Sequence, residues 1–170
     1  MLDDIVKTSI EIDADPATIY SILTDLSRYH EWNPQMFEAR GDPVVGQKIW
    51  FRVKISTFQP TIIVADKDKQ LTWRNILLGV PGLTNCDHSF IITPLVHEGD
   101  QQNGDVGQDD IQAHPGRVLR SRLDNEETFW GITVPALRLF GFLDEVKADF
   151  QKVNEALKKR AEEFAAANKK

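Results

Sequence analysis

Apolar and polar residues alternate over residues 5–13 with the two-residue period of a strand that buries one face. The next segment has the features of a helix start, because Asp15 is a favoured N-cap residue and Pro16 suits the first helical position. Apolar residues then recur at steps of three and four, which predicts a short helix to about residue 25. The aromatic segment 28–34 predicts one further helical turn, ended by Pro34.

Between residues 35 and 131 the pattern indicates short strands separated by turns, which is typical of an antiparallel sheet. The alternation is clearest in segments 49–55, 61–66, 71–76, 87–92 and 119–129. Segment 79–84 is rich in glycine and proline, and we interpret it as an apolar flap over a cavity mouth, with a plain turn as the alternative. Residues 96–116 are acidic and contain few apolar side chains, which predicts a long loop, with a functional lid as the alternative.

After Pro135 the period becomes helical, and one apolar stripe continues along the rest of the chain: Leu139, Leu143, Val146, Phe150, Val153, Leu157 and Phe164. A stripe of this length needs a large apolar surface to cover it, and the inner face of the sheet is the candidate. We therefore predict an α+β fold in which a curved antiparallel sheet of about seven strands wraps around a long C-terminal helix, with two short helices after strand 1. We expect one domain over 1–170, with a frayed tail at 165–170.

The chain has 170 residues, with 26 Asp+Glu against 20 Lys+Arg and a net charge of −6. An acidic balance argues against nucleic acids and anionic membranes as partners, since both attract clustered positive charge. The single cysteine, Cys86, excludes an intramolecular disulfide and is typical of a reducing compartment. No apolar run has the roughly 20 residues that a membrane-spanning helix needs, and the N-terminus is acidic, unlike a signal peptide. We therefore expect a cytoplasmic protein without integral membrane association.

The predicted order of elements resembles the START-like superfamily, also called SRPBCC or Bet v 1-like, which has the helix-grip fold. Within it the chain resembles the polyketide cyclase/dehydrase and lipid-transport group over about residues 6–163. The motifs that carry the resemblance are ADP at 14–16, LTD at 23–25, WNP at 32–34, LTWR at 71–74, HSF at 88–90 and ETFWG at 127–131. The resemblance implies the helix-grip fold and no single function, because that fold serves transporters, hormone receptors, cyclases and chaperone activators.

Two polar residues stand out in the inward register of their strands, His88 and Glu127. If the strands are hairpin partners, the two side chains lie within reach of each other. In an apolar cavity, burial would raise the pKa of the carboxyl and the carboxylate would raise that of the imidazole, which would make an acid/base pair. The alternative is a structural pair that holds two strands in register. Asn75 and Asn125, on the same face, are candidates for hydrogen bonds to an enolate oxygen.

A sheet curled around a helix leaves a concave, mostly apolar space of the kind that binds small organic molecules. The expected ligand contacts are Trp32, Phe51, Val53, Trp73, Asn75, Leu83, Phe90, Asn125, Phe129, Leu139 and Leu143. The aromatic members are equally consistent with an ordinary core. We expect no cofactor, and the histidines have no spacing that favours a metal site.

Three functions are consistent with these features. The first is a carrier or sensor of a hydrophobic small molecule. The second is an enzyme of natural-product metabolism that folds a polyketide-, terpenoid- or lipid-like substrate, with His88 and Glu127 moving protons. The third is a protein-interaction module that uses the outer sheet face, including Trp50 and Trp130, to dock a partner. The sequence leaves open whether the protein is a monomer or a homodimer.

Overall fold

The computed structural model describes residues 4–54, 56–95 and 120–168. Its strands are β1 (Asp4–Ile12), β2 (Met36–Arg40), β3 (Trp50–Val53), β4 (Ser56–Phe58), β5 (Thr61–Asp66), β6 (Gln70–Ile76), β7 (Asn85–Leu95) and β8 (Arg120–Trp130). Its α-helices are α1 (Pro16–Thr24), α2 (Tyr29–Trp32), α3 (Val134–Leu139) and α4 (Phe142–Ala167). Single turns of 3-10 helix lie at Leu26–Arg28 and Leu77–Gly79. The predicted acidic loop at 96–116 lies outside the described residues.

The strands form a five-stranded antiparallel sheet in the order β1-β8-β7-β6-β5 and a three-stranded sheet in the order β2-β3-β4. The break between them falls at Gln59 and Pro60, which separate β4 from β5. Proline has no N–H to donate to a strand ladder, so it divides one long strand into two. The Ile49 amide still donates to the Pro60 carbonyl at 3.0 Å, and Lys48 pairs with Thr61. The two sheets therefore form one curved surface, and the predicted fold class is confirmed.

The first helix begins as the sequence predicts. Asp15 caps α1, since its side chain accepts a hydrogen bond from the Thr18 amide at 2.8 Å. α1 buries Ile19 and Leu23 completely against the sheet, and α2 adds the predicted further turn. This corner is anchored by Tyr29, which is fully buried and donates its hydroxyl to the Leu23 carbonyl at 2.6 Å.

The predicted continuous C-terminal stripe is wrong at its start. Gly141 has φ +74° and ends the first segment, so that α3 and α4 are separate helices. Leu139 belongs to α3 and is 80% exposed, so it does not continue the stripe that packs on the sheet. The stripe is buried in α4 at Phe150, Val153 and Leu157. At the other end, α4 ends at Ala167, inside the segment 165–170 predicted as a frayed tail.

The buried apolar residues fall into two clusters. The larger cluster joins α1, the C-terminal half of α4 and the strands around Leu71, Phe90 and Leu123. The smaller cluster contains Val6, Phe129, Val134 and Phe150 and lies at the end of the sheet that α3 covers. None of the helices in the described part of the chain combines the length and the hydropathy needed to cross a membrane.

Candidate functional site

Four side chains form a row across the inner face of the sheet. In the strand register, Trp73 of β6 lies opposite His88 of β7, which lies opposite Glu127 of β8, which in turn lies opposite Val6 of β1. His88 and Glu127 are therefore direct cross-strand neighbours, as the sequence predicts.

His88 lies among aromatic rings. Its imidazole stacks on Trp73 at 4.7 Å between ring centroids and 18° between planes, and Phe150 of α4 meets it edge-on at 4.7 Å. The side chain is buried, with 8% of its surface exposed, and its Nε2 has no hydrogen-bond partner among the described residues. Burial lowers the pKa of His88 to about 3, and Asn125 opposes this shift. The imidazole is therefore neutral at ordinary pH.

Glu127 is shifted in the opposite direction. Burial raises its pKa to about 7, a hydrogen bond from Cys86 opposes that shift, and Asp87 adds to it. The predicted rise of the carboxyl pKa is confirmed. The predicted rise of the imidazole pKa is wrong, because desolvation of the His88 ring decides its direction and Glu127 is not among its causes. Near neutral pH the group of this pair that gains and loses a proton is thus the carboxyl and not the imidazole.

A polar belt separates the two apolar clusters, and it consists of Thr8, Asn125 and Asn154. The Asn125 amide nitrogen donates to Asn154 Oδ1 at 2.9 Å, and the Asn154 amide nitrogen donates to Thr8 Oγ1 at 3.0 Å. The Thr8 hydroxyl donates to the Asn125 backbone carbonyl at 3.4 Å. All three residues are buried. The belt thus connects α4 to β1 and β8 at the level of Phe90, two residues along β7 from His88.

Sequence reasoning missed two members of this site, Asn154 and Cys86. Asn154 had a signal, because it is a polar residue four positions after Phe150 and therefore on the apolar face of its helix. Cys86 faces inward two residues before His88, and burial raises the pKa of its thiol, with Glu127 adding to the shift. Its partly buried thiol therefore stays protonated at ordinary pH.

Exposure along the inner face changes from one end to the other. Leu71, Phe90 and Leu123, at the end covered by α1, are buried almost completely. Asn75 and Cys86 face the same side but are only partly buried, as is Glu127. On the helix opposite, Leu143 and Val146 are partly buried as well. Solvent therefore reaches the inner face at the end near α3.

Two loops meet at this open end. The Ile132 amide donates to the Gly82 carbonyl at 3.0 Å, and the Thr133 amide donates to the Leu83 carbonyl at 3.2 Å. A Cβ atom at Gly131 would lie 2.4 Å from the Leu83 carbonyl oxygen, so only glycine permits this close approach. The predicted flap is thus attached to the β8–α3 turn through its second half, while Val80 at its tip is 50% exposed. Whether the tip opens stays a prediction.

The remaining residues that were predicted to contact a ligand fall into three groups. Phe51 lies 5.9 Å from Trp73 between centroids and joins the aromatic cluster, with the partly buried Val53 beside it in β3. Phe129 packs edge-on against Phe142 at the open end. Trp32 packs edge-on against Tyr29 in the larger cluster, and it therefore belongs to the closely packed end of the core and not to the open end.

Two further residues were predicted on the outer face as part of an interaction module. Trp50 lies under the guanidinium of Arg40 at 4.9 Å, and Trp130 lies under that of Arg74 at 5.1 Å. Arg74 also forms a two-point ion pair with Asp87. Both tryptophans thus already have a cationic neighbour from this chain.

Comparison with known proteins identifies the family. Residues 4–162 match the family described as polyketide cyclase / dehydrase and lipid transport. The chain belongs to this family. None of the curated proteins compared with the chain matches it.

Solved structures share its fold at low identity. A START superfamily protein from Mycobacterium smegmatis is 18% identical with a TM-score of 0.62, covering 94% of this chain and 98% of its own. The Zhui aromatase/cyclase of a Streptomyces species is 11% identical with a TM-score of 0.63, covering 95% and 94%. A hypothetical protein from Helicobacter pylori is 13% identical with a TM-score of 0.65, covering 93% and 88%. At these identities the likeness extends to the fold and not to a particular ligand or reaction.

Proposed function

We propose that the protein binds a hydrophobic small molecule of polyketide-, terpenoid- or lipid-like character between the inner face of the sheet and α4. The observation that carries this proposal is the loss of burial along one face of the sheet. The same face is closely packed at the α1 end and is only partly buried at Asn75, Cys86 and Glu127, although α4 lies opposite. A concave space bordered by apolar groups, with a few polar ones, is the usual form of a small-molecule site.

The side chains around the open end suit an apolar or aromatic ligand. Phe129 and Phe142 approach each other at 6.4 Å between centroids, and Leu143 and Val146 add aliphatic surface from α4. Membership of the polyketide cyclase / dehydrase and lipid transport family supports this ligand class. The likeness to an aromatase/cyclase fold is consistent with it.

The binding proposal is tested by blocking the space from the helix side. Native mass spectrometry of the freshly purified protein would detect an endogenous ligand, and titration with 2-naphthol provides a defined probe. Val146→Trp adds bulk from the partly buried side of α4 and is expected to abolish probe binding. Lys147→Trp is the matched control, because residue 147 is the next position on the same helix and is exposed. Equal binding by both variants would contradict the proposal.

Proton transfer by Glu127 is the second candidate function, and the pKa of about 7 favours it. A general acid or base is most effective when its pKa lies near the working pH. In its carboxylate form, Glu127 would take the proton from a carbon next to a ligand carbonyl, leaving an enolate. In its protonated form it would return that proton to carbon or oxygen. The neutral His88 next to it would orient the ligand and not carry a charge.

This candidate has a test that needs no natural substrate. The wild-type protein is incubated with 2-tetralone in D₂O, and deuterium incorporation next to the carbonyl is followed by NMR. We expect exchange faster than in buffer for the wild type, loss of that acceleration in Glu127→Gln, and retention in Glu126→Gln, which changes the neighbouring outward-facing residue. Tight binding of 2-tetralone without accelerated exchange would leave the protein as a carrier or sensor.

A further inference from the structure

Two polar atoms on the inner face have no hydrogen-bond partner within the described parts of the chain: Nε2 of His88 and Oδ1 of Asn125. Their residues are 8% and 0% exposed. An unpaired polar atom inside a protein is costly, commonly by about 1–3 kcal/mol in mutational data, so such atoms are rare. Because the two atoms lie on adjacent strands, one polar group of a ligand that reaches both would satisfy them together.

The polar belt determines which way the Asn125 amide faces. Its nitrogen donates to Asn154 Oδ1, and the Asn154 nitrogen is in turn used on Thr8. Exchanging the nitrogen and oxygen of Asn125 alone would place two carbonyl oxygens against each other. Exchanging them in both amides would turn the Thr8 hydroxyl toward Asn154 and away from the Asn125 backbone carbonyl to which it donates, so the belt favours the present orientation. The Asn125 oxygen is consequently the atom left over.

The two unpaired atoms belong to neighbouring side chains. Phe90, two residues after His88, lies opposite Asn125, so His88 and Asn125 are diagonal neighbours on the same face. Asn125 also raises the pKa of His88 through a side-chain hydrogen-bonding contact, against the larger effect of burial. The atom pair nevertheless does not reach hydrogen-bond geometry, since both atoms are left unpartnered.

We propose that His88 Nε2 and Asn125 Oδ1 together bind a hydroxyl group at the buried end of the ligand, so that the protein selects hydrophobic alcohols or phenols. This inference rests on the proposed binding function. A hydroxyl is both a donor and an acceptor, so one oxygen atom can donate to Asn125 Oδ1 and accept from the protonated Nε2 of His88. A ketone oxygen only accepts, which would leave Asn125 Oδ1 unpaired.

A carboxylate ligand does not suit this position. Because His88 is neutral at ordinary pH, it offers no positive charge to a buried anion. The Asn125 oxygen would repel the anion as well. Arg138, which reaches the start of β1 from α3, is already paired with Asp4. The rings of Trp73 and Phe150 on either side of His88 instead suit the apolar body of a neutral ligand.

Three matched probes test this selectivity by isothermal titration calorimetry at neutral pH. They are 2-naphthol, 2-methylnaphthalene and 2-naphthoate, which share the ring system and differ in one group. We expect 2-naphthol to bind about tenfold more tightly than 2-methylnaphthalene, because it satisfies two buried atoms, and 2-naphthoate to bind least well. Equal affinity for the first two probes, or a preference for 2-naphthoate, would overturn the inference while leaving the binding function intact. Failure of all three to bind would overturn the binding function and the inference with it.

Variants then test which residues produce the preference for 2-naphthol over 2-methylnaphthalene. His88→Phe keeps an aromatic ring between Trp73 and Phe150 but removes Nε2, and it is expected to bind 2-naphthol and 2-methylnaphthalene equally. Ser89→Ala, at the next position of β7 but on the outer face, is the control and is expected to keep the wild-type ratio. If His88→Phe is poorly folded, the double variant Asn125→Leu/Asn154→Leu removes the other unpaired atom together with its belt partner. A tenfold preference that survives in a folded variant of either kind would contradict the assignment.

Discussion

His88 and Glu127 lie directly opposite each other on β7 and β8. The pKa of each is shifted in the direction opposite to the one that an ion pair would produce. Burial lowers the pKa of His88 to about 3 and raises that of Glu127 to about 7. A charged pair would have raised the first value and lowered the second. The two groups therefore adjoin as a neutral imidazole and a carboxyl that titrates near neutral pH.

Because the two pKa values shift in opposite directions, the two groups have opposing effects on stability between pH 4.5 and pH 6.5. These limits are the ordinary pKa values of a glutamate and a histidine side chain. In this range the unfolded chain binds a proton on residue 88 that the folded protein lacks, so the His88 contribution to stability rises with pH. The folded protein keeps a proton on Glu127 that the unfolded chain has lost, so the Glu127 contribution falls with pH and is lost fully above about 7. In the wild type the two contributions largely cancel.

Single substitutions should reveal each contribution. Relative to wild type, we expect the free energy of unfolding of His88→Phe to fall by roughly 2 kcal/mol from pH 4.5 to 6.5, and that of Glu127→Gln to rise by a similar amount. Urea denaturation at several pH values measures both, with Glu126→Gln as the control. Curves that stay parallel to the wild type in both variants would show that neither shift exists in solution.

The belt predicts a strong coupling between Asn125 and Asn154. Asn154→Leu leaves the Asn125 amide nitrogen without its acceptor in a buried position, and we expect a loss of about 2–3 kcal/mol of stability. Asn125→Leu should have a similar cost. The double variant should cost less than the sum of the two, because no partner is left unpaired. Additive losses in a double-mutant cycle would mean that the two amides do not depend on each other.

The contact between the two loops at the open end predicts a large effect at Gly131. Gly131→Ala introduces a Cβ atom at 2.4 Å from a backbone oxygen, and the residue has φ +134°, so we expect a loss of at least about 2 kcal/mol. Gly79→Ala is the matched comparison, because Gly79 also has positive φ, at +68°, but nothing lies within 4 Å of the added atom. It should cost about 1 kcal/mol. Thermal denaturation of both variants compares the two losses of stability. Equal losses would argue against the close approach of residue 131 to the Leu83 carbonyl.

The interruption of the C-terminal helix at Gly141 predicts different roles for two leucines of the apolar stripe that the sequence predicts after Pro135. Leu143 is partly buried at the open end, whereas Leu139 is largely exposed on α3. Leu143→Ala should weaken 2-naphthol binding several-fold by removing apolar contact. Leu139→Ala should change neither binding nor stability by more than about 0.5 kcal/mol. A larger effect at Leu139 would place α3 in the ligand contact.

Local patterns were sufficient for most of the fold. The alternation in β1, the Asp15 cap of α1 and the three- and four-residue steps of α4 each arise from neighbouring residues, so the sequence alone predicts them. The same alternation placed His88, Glu127 and Asn125 on one face, because the side-chain period of a strand is two. Gly141 was the exception, since a single glycine ends a helix only when the following chain changes direction.

The sequence by itself therefore determined the order of elements, the inward-facing residues and the family resemblance that the match over residues 4–162 confirms. The tertiary structure alone decided how those inward residues behave. Whether an imidazole is charged depends on how many rings and how little water surround it, and three of the rings around His88 come from β6, β7 and α4. The partner of Asn125 is likewise on a helix 29 residues away along the chain. Desolvation and hydrogen-bond satisfaction depend on all elements that pack together, so no local pattern contains them.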